Sequence, residues 1–179
     1  MEKKDMLFVI DMQNDFIDGA LGSSEAQSIV PKVVELVNTF HENNGKVIFT
    51  LDSHFSEDYH TSIEGQNVPK HCMYGTEGWC LCDELLDARL ETDKTFIKES
   101  FMSKTDDIHD IYPDYPKSIT IVGLCTDICV ISNALLLRRL YPEVSITVDA
   151  SCCAGTTLEK HNAALDVMES CCINVINRN

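Results

Sequence analysis

Short apolar runs alternate along this chain with stretches in which apolar residues recur every three or four positions. The runs have the length of buried strands, and the periodic stretches are typical of helices that bury one face. Because the two patterns alternate, they predict a parallel sheet covered on both faces, an α/β fold that occupies a single domain, residues 1–179. Six strands are predicted, at 6–10, 46–51, 95–98, 119–123, 144–148 and 173–176.

Helix-start and helix-end signals place the helices between these strands. Pro31 begins a stretch with Val33, Val37 and Phe40 on one face, and Gly45 follows its end. Three more helices are predicted, at 83–90, 128–140 and 157–168. The polar segment 52–75 has no clear period, and a loop of this length is usually functional.

The charge balance narrows the choice of partners. The 179 residues include 14 basic and 29 acidic residues, a net charge of −15. This balance argues against nucleic acid and anionic membranes, which bind basic patches, and leaves a small molecule as the expected partner. No apolar run approaches the roughly 18 residues of a membrane span, and the run before Asp11 is too short for a signal peptide. We therefore expect a cytoplasmic protein.

Nine cysteines are an unusually high and odd number. Without an export signal, reduced thiols in a cytosol are expected, and most are interpreted as small buried apolar residues. Cys125 and Cys129 differ in their context, because they follow a predicted strand and enter a predicted helix. A thiol at a helix start is expected to have a lowered pKa and to lie near free backbone N–H groups. Asp127 is interpreted as a cap of this helix.

Three chemically active side chains stand at or just beyond strand ends. They are Asp11, Lys98 and Cys129. The carboxyl ends of parallel strands meet at one crevice, so a base, a cation and a thiol are brought together there. These are the parts of a nucleophilic enzyme. Asp52 and His54 follow another strand and, two residues apart, project to the same side.

Several motifs together resemble the isochorismatase-like cysteine hydrolases, and among them the nicotinamidases. The resemblance spans nearly the whole chain, and two of its motifs, D-M-Q-N-D-F and T-D-x-C-V, are specific when they occur in this order. The matching residues are Asp11 to Phe16, Asp52, His54, His71, Cys72, Lys98 and the segment Gly123 to Val130.

The resemblance implies a Rossmann-like, three-layer α/β/α fold with a six-stranded parallel sheet, and a homo-oligomer. It implies that Cys129 is the nucleophile, Asp11 the general base and Lys98 the third member of a triad. It also implies a cis peptide between Leu124 and Cys125, with the backbone N–H groups of Cys125 and Cys129 forming an oxyanion hole. The side chain of Cys125, the rival nucleophile, is expected to be dispensable.

A divalent metal ion is implied as well, with Asp52, His54 and His71 as ligands and either Glu64 or His60 as the fourth. Such a set suits zinc foremost, and also iron(II) or manganese(II). In nicotinamidases this metal takes the pyridine nitrogen of the substrate. The expected substrate-binding residues are Phe16, Gln13 and Val68, where Val68 departs from the aromatic residue of many relatives.

The leading hypothesis is a metal-dependent cysteine amidohydrolase that converts nicotinamide to nicotinate and ammonia through a thioester. One alternative is a metal-independent relative that acts on another amide, a ureide or a vinyl ether. Asp52, His54 and His71 count against it, because isochorismate-type members lack this set. Another alternative is a non-catalytic metal-binding or redox-sensing protein, and the complete triad counts against that one.

Overall fold

The computed structural model describes residues 3–55, 59–106, 108 and 115–178. A sheet of six parallel strands forms its centre, in the order β3-β2-β1-β4-β5-β6. The strands are β1 (Asp5–Ile10), β2 (Lys46–Asp52), β3 (Lys94–Lys98), β4 (Ser118–Leu124), β5 (Ser145–Ala154) and β6 (Asn174–Ile176). The predicted six-stranded parallel sheet is confirmed.

Helices cover the sheet and make it the middle of a three-layer α/β/α fold, as predicted. The longest, α2, buries Ala26, Ile29, Val33 and Val37, spaced three or four residues apart, and packs against four strands. The α-helices are α1 (Asn14–Ile17), α2 (Ser24–Glu42), α3 (Asp83–Ala88), α4 (Ile131–Leu140) and α5 (Leu158–Ser170). A 3-10 turn (Tyr59–Thr61) and a π-helical turn (Thr126–Val130) complete the described elements.

Two predicted boundaries are wrong. Helix α2 begins at Ser24 rather than at Pro31, because the Ser23 hydroxyl caps it by accepting a hydrogen bond from the Ala26 N–H at 3.0 Å. Pro31 lies inside this helix, although proline is more common in a first turn. Strand β5 continues beyond its predicted end at residue 148 and reaches Ala154. Its pairing with β4 shifts in register after Val148, so that Gly123 pairs with Cys153.

The strand order creates one crevice. The chain runs outward from β1 to β2 and β3, then returns to β4 beside β1 and runs outward to the other edge. Ligands of open α/β sheets bind at such a reversal, outside the carboxyl ends of the strands. Gly123 lies there with φ 117°, and a Cβ at this position would overlap the carbonyl oxygen of Ile10. The end of β4 is therefore close-packed against the end of β1.

Among the residues that the structure describes, no helix has both the length and the apolarity needed to cross a bilayer.

Candidate active site

Asp11, Lys98 and Cys129 meet at the carboxyl ends of the strands. Lys98 is the last residue of β3, and its Nζ lies 2.7 Å from Asp11 Oδ2 and 3.4 Å from Cys129 Sγ. The same ammonium donates to Asp52 Oδ1 at 3.1 Å and to the carbonyl oxygen of Ser100 at 3.1 Å. The structure thus brings together the three side chains that the sequence predicts as a triad.

Burial dominates the electrostatics of this group. Asp11 and Lys98 are both fully buried. Burial raises the pKa of Asp11, and the positive charge of Lys98 offsets this effect only in part. Burial acts to lower the pKa of Lys98, but the negative charges around it, that of Asp11 foremost, raise this pKa on balance. The lysine therefore stays charged beside an unusually basic carboxylate.

Cys129 differs from its predicted environment. It lies late in the π-helical turn Thr126–Val130, which precedes α4, and not at the start of a helix. Burial and the nearby charge of Asp11 raise the pKa of its thiol well above the ordinary value. The expectation of a lowered pKa is therefore wrong, because burial outweighs the positive charge of Lys98. A neutral thiol of this kind needs a base to react.

The turn that holds Cys129 has a distinctive backbone conformation. The peptide between Leu124 and Cys125 is cis, as the resemblance implies. The N–H groups of Ile128 and Val130 both donate to the carbonyl of Cys125, at 3.0 and 3.1 Å. These bonds do not use the N–H groups of Cys125 and Cys129, the pair expected to form an oxyanion hole.

Two neighbours of Cys129 have roles that the structure clarifies. Cys125 is half-buried, and burial, with the charge of Asp127, raises its thiol pKa to about 12. Asp127 does not cap the following helix: its carboxylate accepts hydrogen bonds from the N–H and hydroxyl of Thr156, at 2.7 and 2.6 Å. Asp127 thereby ties the turn to the segment after β5.

A second group of side chains stands next to the first. One ligand atom from each of Asp52, His54, Glu64 and His71 lies within 4.8 Å of the others. The Nε2 atoms of His54 and His71 lie 3.4 and 3.3 Å from Asp52 Oδ2. They lie 3.9 and 3.8 Å from Glu64 Oε1. Ligand atoms around a tetrahedral zinc ion stand about 3.4 Å apart, given zinc–ligand distances of about 2.1 Å.

The hydrogen bonds of these residues also suit a metal ion. His71 Nδ1 lies 2.8 Å from the carbonyl of Pro69 and donates to it, so Nε2 of the neutral ring carries a lone pair. His54 Nε2 is buried and has no hydrogen-bond partner among the described residues. Burial opposes ionisation of Asp52, but its close contacts with the two histidine rings and the charge of Lys98 hold its pKa well below the usual range. Two imidazoles and two carboxylates therefore fit a divalent cation.

The structure distinguishes the two candidates for the fourth position. Glu64 belongs to the group of facing ligand atoms. His60, in the 3-10 turn Tyr59–Thr61, is exposed and lies outside the group that the described residues form.

A cavity of about 440 Å³ connects the two groups. Cys129 and Cys125 line it together with Asp52, Glu64 and His71. Phe16 and Val68, both predicted to bind substrate, are in its wall, and the Phe16 ring contacts His71 edge-on with centroids 5.2 Å apart. A pocket of this size with apolar walls and few polar groups is typical of a small-molecule site.

The prediction that Gln13 binds substrate is wrong, because Gln13 is buried and absent from the cavity wall. Its amide donates to the carbonyl of Asp52 at 2.9 Å and that of Trp79 at 2.8 Å, and accepts from the Asp52 N–H at 2.8 Å. All three hydrogen bonds join the Gln13 side chain to backbone groups. Gln13 therefore supports the backbone at Asp52 and does not bind substrate directly.

Sequence reasoning missed several residues of the site. Phe101 lines the cavity, and Asn133 holds it by donating to the carbonyls of Phe101 and Cys129 at 3.1 and 2.8 Å. Thr50 contacts Asp11 from the neighbouring strand. A polar residue inside the apolar run of β2 was a usable signal for Thr50, whereas nothing local marks Phe101 or Asn133.

A buried thiol, carboxylate and ammonium at the switch point of a parallel α/β sheet define a nucleophilic enzyme. The particular family follows from comparison. The Isochorismatase domain model matches residues 5–179, and the chain belongs to this family of hydrolases. The resemblance inferred from the motifs is confirmed.

The relatives include nicotinamidases. Nicotinamidase 1 of Arabidopsis thaliana is 28% identical over 180 residues, covering 88% of this chain and 72% of the relative. The crystal structure of a pyrazinamidase of Pyrococcus horikoshii in complex with zinc is similar with a TM-score of 0.83 and 26% identity, covering 98% of this chain and 99% of that one. The nicotinamidase/pyrazinamidase PncA from Bacillus subtilis gives a TM-score of 0.83 and 28% identity, covering 96% and 98%.

Proposed function

We propose that this protein is a metal-dependent cysteine amidohydrolase that converts nicotinamide to nicotinate and ammonia. One observation carries the proposal: the thiol of the Asp11–Lys98–Cys129 group lines the same cavity as Asp52, Glu64 and His71 of the second group. A nucleophile and a site for a ring nitrogen are thereby available to one small substrate. The similarity to nicotinamidases supports the same substrate.

Acylation begins with transfer of the Cys129 proton to Asp11. The thiolate attacks the amide carbonyl carbon, a C–S bond forms, and the carbonyl oxygen takes up negative charge. The N–H groups of Cys125 and Cys129 stabilise this oxyanion. Asp11 then gives its proton to the leaving nitrogen, the C–N bond breaks, and ammonia departs. The raised pKa of Asp11 suits it to both directions of this transfer.

Deacylation uses the same residues. Asp11 takes a proton from water, whose oxygen attacks the thioester carbonyl carbon, and the C–S bond breaks. Cys129 leaves as a thiolate and recovers the proton from Asp11. Lys98 remains charged throughout, so its ammonium offsets negative charge on Asp11 and near Cys129.

Asp52, His54, Glu64 and His71 are the residues that would hold a divalent ion, zinc foremost. When bound, such an ion supplies a Lewis acid that grips the ring nitrogen of the substrate. Phe16 and Val68 would pack against the ring, since both line the same cavity.

A panel of amides tests the substrate. Ammonia release is measured from nicotinamide, pyrazinamide, benzamide and a ureide, each with zinc-loaded and chelator-treated protein. We expect nicotinamide and pyrazinamide to be hydrolysed fastest and benzamide, which has no ring nitrogen, to be a poor substrate. Equal rates for nicotinamide and benzamide, or full activity in the metal-free protein, would support the metal-independent alternative.

A further inference from the structure

A threonine hydroxyl on β2 makes close contact with the carboxylate of Asp11. Thr50 Oγ1 donates to Asp11 Oδ1 at 2.6 Å, and the same oxygen accepts a hydrogen bond from the Asp11 N–H at 3.2 Å. Thr50 pairs with Ile10 in the sheet, so the strand register delivers its side chain to Asp11. Both residues are fully buried.

The two contacts orient the hydroxyl. A hydroxyl has one proton, and the Asp11 N–H occupies an acceptor position on Oγ1, so the proton points to Asp11 Oδ1. Oδ1 is therefore committed to Thr50, and Oδ2 is turned toward Lys98 at 2.7 Å. Asp11 also has φ 48°, in the left-handed region that few residues other than glycine adopt.

We propose that Thr50 is a positioning residue that fixes the Asp11 carboxylate for proton transfer with Cys129. The inference rests on the proposed function, in which Asp11 is the base. Without the hydroxyl, the carboxylate can rotate about its terminal bond, and the N–H of Asp11 loses its partner. The buried base would then spend less time in the orientation that reaches the thiol, which lowers the rate of the chemical step.

Thr50 also acts on the ionisation of Asp11. A hydrogen bond to the charged form lowers the pKa of a carboxyl, in the direction opposite to the larger effect of burial. Removal of this bond should move the acidic limb of the rate profile to higher pH. The other titratable groups that act on or near Asp11 are unchanged by the substitution: Lys98, Asp52, Cys129, Cys125 and Cys72.

The test compares Thr50→Val with Thr50→Ser and with a matched control on the adjacent strand. Valine keeps the shape of threonine and removes the hydroxyl, whereas serine keeps the hydroxyl. Thr95 of β3 has a buried hydroxyl without a hydrogen-bond partner among the described residues, so Thr95→Val serves as the control. Thr50→Ala replaces Thr50→Val if the valine protein does not fold.

For nicotinamide hydrolysis by zinc-loaded protein, we expect Thr50→Val to lower kcat about 10- to 100-fold with KM little changed. Its acidic limb should lie at higher pH. Thr50→Ser should restore most of kcat, and Thr95→Val should resemble the wild type. Near-native kcat with an unmoved acidic limb in Thr50→Val, or a serine variant as slow as the valine one, would overturn the proposal.

A second readout needs no substrate. The rate of Cys129 alkylation by iodoacetamide is followed by peptide mapping, with the exposed Cys171 as the internal reference. We expect Thr50→Val to slow alkylation of Cys129 and not of Cys171. If the wild type hydrolyses no nicotinamide, the proposed function fails, and this readout alone decides the role of Thr50. An unchanged Cys129 rate overturns that role.

Discussion

The triad and the metal-ligand group lie side by side but are completed by different means. In the triad, the Lys98 ammonium forms an ion pair with Asp11 and contacts Cys129, so a positive charge of the protein itself balances the buried carboxylate. In the ligand group, two carboxylate oxygens face two imidazole nitrogens, and His54 Nε2 has no hydrogen-bond partner among the described residues. The difference teaches that the triad balances its charge within the protein, whereas the second group offers a ligand set that could hold an additional cation.

Asp52 belongs to both regions. Its Oδ1 accepts from Lys98 at 3.1 Å, and its Oδ2 faces His54 and His71. One oxygen of Asp52 thus serves the triad and the other serves the metal-ligand group. We therefore expect that a substitution in one group can leave the other group in place. The following predictions use that separation, from the largest expected effect to the smallest.

The thiol is the first target. Cys129→Ala should abolish amide hydrolysis, a loss of roughly 10⁴-fold or more, because it removes the thiol that lies 3.4 Å from Lys98 Nζ. Steady-state ammonia release measures it. Cys125→Ala is the matched control and should retain substantial activity, since only its backbone N–H takes part. An active Cys129→Ala protein would remove the mechanism.

The base comes next. Asp11→Asn keeps the shape of the side chain and should lower kcat by about 10²–10⁴-fold while substrate still binds. In the wild type the reactive carboxylate is lost as pH falls through the pKa of Asp11, which burial raises. The acidic limb should therefore lie above the ordinary carboxyl range. Turnover near the native level in Asp11→Asn would place the base elsewhere.

Removal of the metal should separate binding from nucleophile activation. Chelation is expected to remove activity on nicotinamide, because the grip on the ring nitrogen is lost. Cys129 should still react with iodoacetamide at a rate within a few-fold of the loaded protein, since Asp52 holds Lys98 through Oδ1. Restoration of hydrolysis by added zinc is the control. A chelated protein with inert Cys129 would show that the two regions form one unit.

The smallest effect is expected from removal of the fourth ligand, where Glu64 and His60 can be compared directly. Glu64→Ala should weaken metal binding by at least about tenfold, because a facing carboxylate oxygen is removed. His60→Ala should leave metal content unchanged, since this histidine is exposed. Metal analysis after dialysis measures both variants. Loss of metal from His60→Ala alone would reverse the assignment.

Much of the fold and site could be predicted because it depends on local pattern. Buried parallel strands are continuous apolar runs, so their ends, and with them Asp11, Asp52 and Lys98, could be located from the sequence. The motif around Cys129 indicated the family, which the comparison confirms. The start of α2 was missed because a proline in a helix interior looks the same in sequence as one in a first turn.

The sequence by itself determined which residues carry chemistry and at which strand ends they stand, because apolar period and motif spacing are properties of neighbouring residues. Only the tertiary structure decided what surrounds them. It turned Gln13 toward the Asp52 backbone, brought Thr50 to Asp11, and placed Glu64 rather than His60 beside the histidines. It also reversed the expected pKa shift of Cys129. Desolvation and cross-strand distance arise between residues far apart in the chain, and no local pattern encodes them.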